Sequence, residues 1–292
     1  MTIKEILIWS TKELKNNNVS EPEKSAELLL RQILNWDKAK LIANPDYKLN
    51  SAQESKFREF IERRKKHEPV WYITGKIEFY GLDLAVNQDV LIPRPETEFL
   101  VEEVLSVILT KEESKKRSFV PQDDIFRILE LGTGSGAIAL SLANKLKSKI
   151  FASDISKEAL EVAKKNTKKL ELEKYIEFRQ GSLFEPWGSE KFDCFVANLP
   201  YIPHEDMSSL ALDIHHFEPR LALDGGKEGL EIYEELLSQA GDYLNENAMM
   251  FFEIGIDQGD KLKKLVEKYL PKAKVRIIKD YGDIDRIAVI ST

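Results

Sequence analysis

Apolar residues recur at three- and four-residue spacing through the N-terminal region, a period that predicts helices. Ile3, Ile6, Leu7 and Leu14 form one stripe, and Ala26, Leu29, Leu30, Ile33 and Leu34 form a second. A third, over 51–66, carries Phe57, Phe60 and Ile61 on one side. Ser20 can cap the second helix, with Pro22 tolerated in its first turn. From Val70 to Val90 the composition turns β-branched and aromatic around Gly75 and Gly81, which predicts a hairpin linking two domains. In Leu91-Ile92-Pro93-Arg94-Pro95-Glu96-Thr97-Glu98 the prolines fix an extended turn, and Thr97 can cap a helix to about Leu109. The charged stretch from Lys111 to Asp124 reads as a surface connection.

Beyond it the period alternates. Strands are expected at 126–131, 149–153, 176–180, 192–197 and 248–254, and helices at 137–146, 157–170, 229–244 and 258–269. This alternation predicts a mostly parallel sheet covered on both faces. Two more strands, near 275–278 and 286–290, are too close for a helical crossover and should pair antiparallel. The expected organisation is a helical domain over 1–69, a hairpin and linker over 70–96, and a larger α/β domain over 97–292.

Composition narrows the classes. With 292 residues, 42% hydrophobic and 9% aromatic, the chain can build packed cores. Its uncharged stretches are shorter than the roughly eighteen residues of a membrane span, and no cleavable signal is evident, so a cytoplasmic protein is expected. A net charge of -7 argues against a protein that grips nucleic acid over its whole surface. The charge is uneven: residues 1–85 hold 15 Lys/Arg and 13 Asp/Glu, so 15 - 13 = +2, which leaves -9 for the rest. The basic run Arg63-Arg64-Lys65-Lys66 could touch RNA near a protein target, but reads first as a solvated helix end. Cys194, between Phe192 and Phe195 in an expected buried strand, reads as core filling. His67, His204, His215 and His216 show no metal-ligand spacing, so no metal is expected.

Chemistry concentrates at strand ends. The turn Gly132-Thr133-Gly134-Ser135-Gly136 lets bare backbone approach a ligand, a weak signal alone. Asp154, closing the next strand, can take the hydroxyls of a ribose, and together they indicate a nucleoside. After the fourth strand stands Asn198-Leu199-Pro200-Tyr201. Methyl transfer to a planar nitrogen needs its N–H bonds directed into acceptors so that the nitrogen faces a sulfonium methyl. The Asn198 side-chain oxygen and the Leu199 carbonyl can supply two acceptors, Pro200 can stiffen the turn, and the Tyr201 ring can cover the planar group. No general base is evident.

Over nearly its whole length the chain resembles the release-factor glutamine methyltransferase (HemK/PrmC) family. The resemblance rests on Tyr72-Ile73-Thr74-Gly75, Phe79-Tyr80-Gly81-Leu82 and 90–98, on 129–139 around the glycine turn, and on Glu218-Pro219-Arg220-Leu221-Ala222-Leu223-Asp224-Gly225-Gly226 with Gly229-Leu230. It implies a Rossmann-like class I S-adenosylmethionine-dependent methyltransferase whose seven-stranded sheet is mostly parallel with the last strand antiparallel. It further implies N5-methylation of the glutamine in the Gly-Gly-Gln loop of class I peptide-chain release factors. Donor contacts would be Gly132 to Gly136, Asp154, Leu183 and Asn198, with Asn198, Leu199, Pro200 and Tyr201 holding the glutamine. The helical domain would help dock the release factor, the enzyme working as a monomer without membrane or stable nucleic-acid partners. Two positions depart from the family: Leu199 replaces its usual proline, and Gly181-Ser182-Leu183 lacks its usual acidic residue.

The rival reading is an adenine-N6 methyltransferase acting on rRNA or DNA, since adenine presents the same kind of amine. The acidic balance and the 90–98 and 218–230 segments weigh against it. A non-catalytic scaffold is the third class, disfavoured by the intact glycine turn, Asp154 and Asn198.

Overall fold

The computed structural model describes residues 1–117, 126–280 and 282–292, with backbone alone over 110–117, and the chain divides into two units. One unit is Met1–Lys76 with Leu210–Phe217, and the other is Ile77–Ser209 with Glu218–Thr292. The helical unit thus extends past residue 69 and recruits a short segment from far along the chain.

In the first unit the helical stripes are realised as α1 (Ile3–Asn16), α2 (Pro22–Leu34) and, after the short α3 (Lys38–Ala43), α4 (Ser51–Lys65). Ile3, Ile6 and Leu14 meet Ala26, Leu29 and Leu30 and then Phe57 and Ile61 in one core. Helix α1 begins in a reciprocal cap, with Glu5 N–H donating to Thr2 Oγ1 at 3.2 Å and Thr2 N–H donating to Glu5 Oε2 at 2.8 Å. Ser20 does not cap α2: Glu21 precedes the helix in a left-handed conformation, and Ser20 Oγ accepts from Arg64 instead, at 3.3 Å. Arg64 is correspondingly not a solvated charge. It is 4% exposed, donates to the carbonyls of His67 and Glu68, and pairs with Asp213 of the 210–217 segment at 3.5 Å. Burial lowers its pKa.

The hairpin begins later than the composition suggested. Residues Val70–Thr74 form helix α5, closed by Gly75 in the left-handed region, and their β-branched and aromatic side chains turn into the core. The hairpin itself pairs β1 (Lys76–Phe79) with β2 (Leu82–Ala85). Tyr80 and Gly81 both take positive φ, the geometry whose twist suits a two-residue turn. Helix α6 (Pro95–Arg117) runs beyond Leu109 into the expected surface connection, and the rest of that stretch up to Asp124 lies outside the described residues.

The second unit is a seven-stranded sheet in the order β5-β4-β3-β6-β7-β9-β8. The strands are β3 (Ile128–Leu131), β4 (Ile150–Asp154), β5 (Ile176–Gln180), β6 (Phe192–Ala197), β7 (Leu244–Glu253), β8 (Lys274–Lys279) and β9 (Asp285–Ser291). β9 runs antiparallel to both its neighbours and the other pairings are parallel. Helices α7 (Ala137–Leu146) and α8 (Lys157–Lys169) follow β3 and β4, α9 (Leu212–Phe217) belongs to the first unit, and α10 (Glu231–Tyr243) and α11 (Gly259–Tyr269) flank β7. Strand alternation sends Leu129 and Leu131 into a core with Tyr233, Leu236 and Leu262 of α10 and α11, while Glu130 faces α7. No helix among the described residues is long and apolar enough to cross a membrane.

Candidate active site

The sheet order reverses between β3 and β6, and ligands of open α/β sheets bind beyond the carboxyl ends of strands at such a point. Register does the rest. Leu131 is level with Ser153 on one side and with Ala197 on the other, so the residues that follow, Gly132, Asp154 and Asn198, emerge side by side. Ala197 is in turn level with Phe252, which brings Glu253 up next to Asn198. A cavity of about 250 Å³ opens there, lined by Gly132–Ser135, Asp154, Gly181–Leu183 and Asn198–Pro200.

One wall is built from backbone. Gly132, Gly134 and Gly136 all have positive φ, and a Cβ on Gly134 would meet no protein atom within 4 Å, so that face is bare backbone. A Cβ on Gly132 would lie 2.8 Å from Leu199 Cδ2, so that side chain would have to move to admit one. Asp154 Oδ2 accepts from Gly134 N–H at 2.8 Å and Oδ1 from Ser156 N–H at 2.9 Å. The cap of α8 is Ser156, whose hydroxyl accepts from Ala159 N–H at 3.0 Å. Burial raises the Asp154 pKa against those backbone donors. Behind the turn, Glu130 is wholly buried and accepts from Thr133 Oγ1 at 2.6 Å and Ala139 N–H at 3.0 Å. Desolvation pushes its carboxyl up to about 8, with Asp154 adding to the rise.

The other wall is built from side chains. Asn198 Nδ2 donates to Thr97 Oγ1 at 3.1 Å, and the Thr97 hydroxyl donates to Glu253 Oε2 at 2.7 Å. Thr97 sits inside α6 and lines the cavity, so it is part of the site and not a helix cap. Tyr233 Oη accepts from Leu199 N–H at 3.1 Å and donates to the Glu253 carbonyl at 2.5 Å. Among the described residues no hydrogen bond ends on Asn198 Oδ1 or on the Leu199 carbonyl. Tyr201 is outside the cavity lining: its ring packs against the core and its hydroxyl donates to Glu253 Oε1 at 3.3 Å. Burial beside Glu253 raises the Tyr201 pKa, and burial likewise raises that of Glu253 against its Thr97 and Tyr201 donors. Gln258 holds the back of the motif, donating to the Tyr201 carbonyl at 2.8 Å while accepting from Gly255 N–H at 2.8 Å.

The two segments singled out by sequence close the mouth together. Glu218 Oε2 accepts from Ile92 N–H at 3.1 Å and Oε1 from Arg94 Nη2 at 2.5 Å, which ties together two segments that line the cavity through Val90, Leu91 and Pro93 on one and Pro219, Leu221 and Ala222 on the other. Gly225 and Gly229 fit because a Cβ on either would strike the main chain of Pro200 or Tyr201 within 2.7 Å. Leu183 lines the cavity with φ 43°, and its carbonyl accepts from Ser153 Oγ at 3.3 Å. His215 and His216 are exposed on the segment that belongs to the helical unit, and Phe217 ends that segment.

Thr97, read from sequence only as a cap, and Glu130, Tyr233, Glu253 and Gln258, which motif reasoning passed over, thus surround the candidate site. Glu253 carries the one available signal, a carboxylate closing the apolar run Met249-Met250-Phe251-Phe252.

A nucleoside-sized crevice at the switch point of this sheet order, beside an asparagine with an uncommitted oxygen, defines a Rossmann-like class I methyltransferase. Residues 122–261 match a family described as methyltransferase domain, and residues 5–75 match the PrmC N-terminal domain. The chain is 36% identical over 290 residues to a release factor glutamine methyltransferase of Bacillus anthracis, covering 98% of each chain. It is 38% identical over 288 residues to the one of Bacillus subtilis, covering 98% of this chain and 96% of that one. Among solved structures, a human methyltransferase 10 domain containing protein shares the fold with a TM-score of 0.51 at 15% identity, over 72% of this chain and 88% of that one. The chain belongs to the release factor glutamine methyltransferase family.

Proposed function

We propose that this enzyme transfers the methyl group of S-adenosylmethionine to the N5 side-chain amide of the glutamine in the Gly-Gly-Gln loop of class I peptide-chain release factors. The carrying observation is the pair of uncommitted acceptors, Asn198 Oδ1 and the Leu199 carbonyl, beside the bare glycine turn. The lining fits the donor. Gly134 leaves room for it against the backbone, Asp154 keeps a lone pair on each oxygen for ribose hydroxyls, and Leu183 offers an apolar contact. S-adenosylmethionine supplies an electrophilic methyl carbon on a sulfonium.

A carboxamide nitrogen is a poor nucleophile because its lone pair is delocalised. Asn198 Oδ1 and Leu199 O hold its two N–H bonds, so the nitrogen presents its face to the donor side of the crevice. As bonding makes the nitrogen cationic, the same oxygens stabilise the developing charge and its proton becomes acidic enough to leave to water. The helical unit contributes to docking the release factor, and the 90–93 and 219–222 pair walls the mouth through which the loop enters.

Mass spectrometry of a release-factor Gly-Gly-Gln peptide after incubation with enzyme and donor tests the reading. A gain of one methylene mass on the glutamine is expected. Methyl incorporation into RNA alone would replace it with adenine-N6 transfer.

A further inference from the structure

We infer that Glu253, acting through Thr97, is the positioning residue that decides which end of the Asn198 amide faces the substrate. The inference rests on the proposed glutamine methylation and deepens it. An asparagine amide has two nearly isosteric ends, and only the oxygen end can accept an N–H bond. Sterics do not choose between them; a neighbour must.

Proton counting makes the choice. Thr97 has a single hydroxyl proton and lies 2.7 Å from Glu253 Oε2, which in its ionised form can only accept. The proton is therefore spent on Glu253, and the Thr97 oxygen can only accept from Asn198, at 3.1 Å. Nδ2 must face Thr97, and Oδ1 is left for the crevice. Turning the amide over would set Oδ1 against a lone pair and a donor against the incoming N–H. The same residue also holds the rest of the motif, with Tyr201 Oη on its carboxylate Oε1 at 3.3 Å and Tyr233 bridging its main-chain carbonyl to Leu199 N–H at 2.5 and 3.1 Å. Glu253 is 2% exposed and does not line the cavity, so its influence on the substrate passes through these partners.

The test compares the full-length wild type with Thr97→Val, Thr97→Ser, Asn198→Ala and the Thr97→Val/Asn198→Ala double variant. Donor affinity is read by calorimetry, and kcat and KM by methyl transfer to a release factor. Thr97→Val should lower kcat by about tenfold or more with the donor Kd within about threefold, and Thr97→Ser should restore most of kcat. In the double variant the Thr97 change should cost less than about twofold beyond Asn198→Ala, because a residue that works through another loses its effect once that partner is gone. Wild-type kcat in Thr97→Val, or penalties that multiply in the double variant, would overturn the inference while leaving glutamine methylation standing. A wild type that leaves the glutamine unmodified would overturn the functional reading and this inference with it. Should Thr97→Val fail to fold, Glu253→Met decides in its place: with no carboxylate to accept it the Thr97 proton is free to turn toward Asn198, so kcat should fall with the donor Kd within about threefold, and unchanged kcat overturns the inference.

Discussion

The two walls of the crevice are made in different ways. On the donor wall the hydrogen bonds are short in sequence: Thr133 to Glu130 spans 3 residues, Ala139 to Glu130 spans 9, and Gly134 to Asp154 spans 20. On the acceptor wall Asn198 reaches Thr97 across 101 residues, Tyr201 reaches Glu253 across 52, and Leu199 reaches Tyr233 across 34. The donor wall is one strand-turn-helix joined by the ends of the next two strands in the chain. The acceptor wall exists only when α6, β6, α10 and β7 are all in place. Binding of donor and alignment of the methyl acceptor should therefore separate under mutation.

The largest expected separation is at Asn198. Asn198→Ala removes one preorganised acceptor, worth about 2 to 4 kcal/mol of transition-state stabilisation, or roughly thirtyfold to several-hundredfold in kcat. The glycine turn and Asp154 are untouched, so calorimetric donor affinity should stay within about threefold. Equal losses in donor binding and turnover would merge the two walls into one functional unit.

A smaller effect sets the walls apart by pH. Burial holds the Glu130 carboxyl at about 8 against an ordinary 4.5, so folding favours its protonated form. Its contribution to stability is complete below about 4.5 and is lost as pH rises toward 8, because the unfolded chain releases this proton first. Between about pH 6 and pH 7.5 the loss from this group is on the order of 2 kcal/mol in the ligand-free enzyme. Glu130→Gln can still accept from Thr133 and Ala139 but has no proton to release. Urea unfolding at both pH values should show the wild type losing that much more than the variant. Parallel losses would mean that Glu130 is ionised throughout.

This difference in construction also explains what could be read in advance. Gly132, Gly134, Asp154 and Asn198 are legible because each stands at a strand end, where residue type and local turn geometry suffice. The sheet follows from alternation of period, and its last two strands from their proximity. Thr97 looks like a cap from its neighbours in sequence, and only the packing of α6 on β7 makes Glu253 its partner. Tyr233 reads as one more core aromatic because its hydroxyl finds its partners only after folding. Residues 70–74 mislead for a related reason, since β-branched and aromatic side chains serve a short helix as well as a strand when Gly75 can close it. Arg64 looks solvated in a run of four basic residues, yet tertiary partners draw it inside.

The smallest effect expected is a gain. Ser182 lines the donor wall, and its N–H donates to Glu185 Oε2 at 3.2 Å, which holds the turn without using its hydroxyl. A serine oxygen can accept one hydrogen bond from an adenine amine, whereas a carboxylate there makes a charge-assisted one. The gain is trimmed by the neighbouring carboxylates of Asp154 and Glu185, leaving about 0.5 to 1 kcal/mol, or roughly twofold to fivefold in donor Kd. Because Ser182 belongs to the donor wall alone, Ser182→Asp should tighten calorimetric donor binding by that factor and leave kcat at saturating donor unchanged. Tighter binding accompanied by a parallel change in kcat would show that the adenine end of the crevice is felt at Asn198. Weaker binding would show that repulsion from Asp154 and Glu185 outweighs the new hydrogen bond.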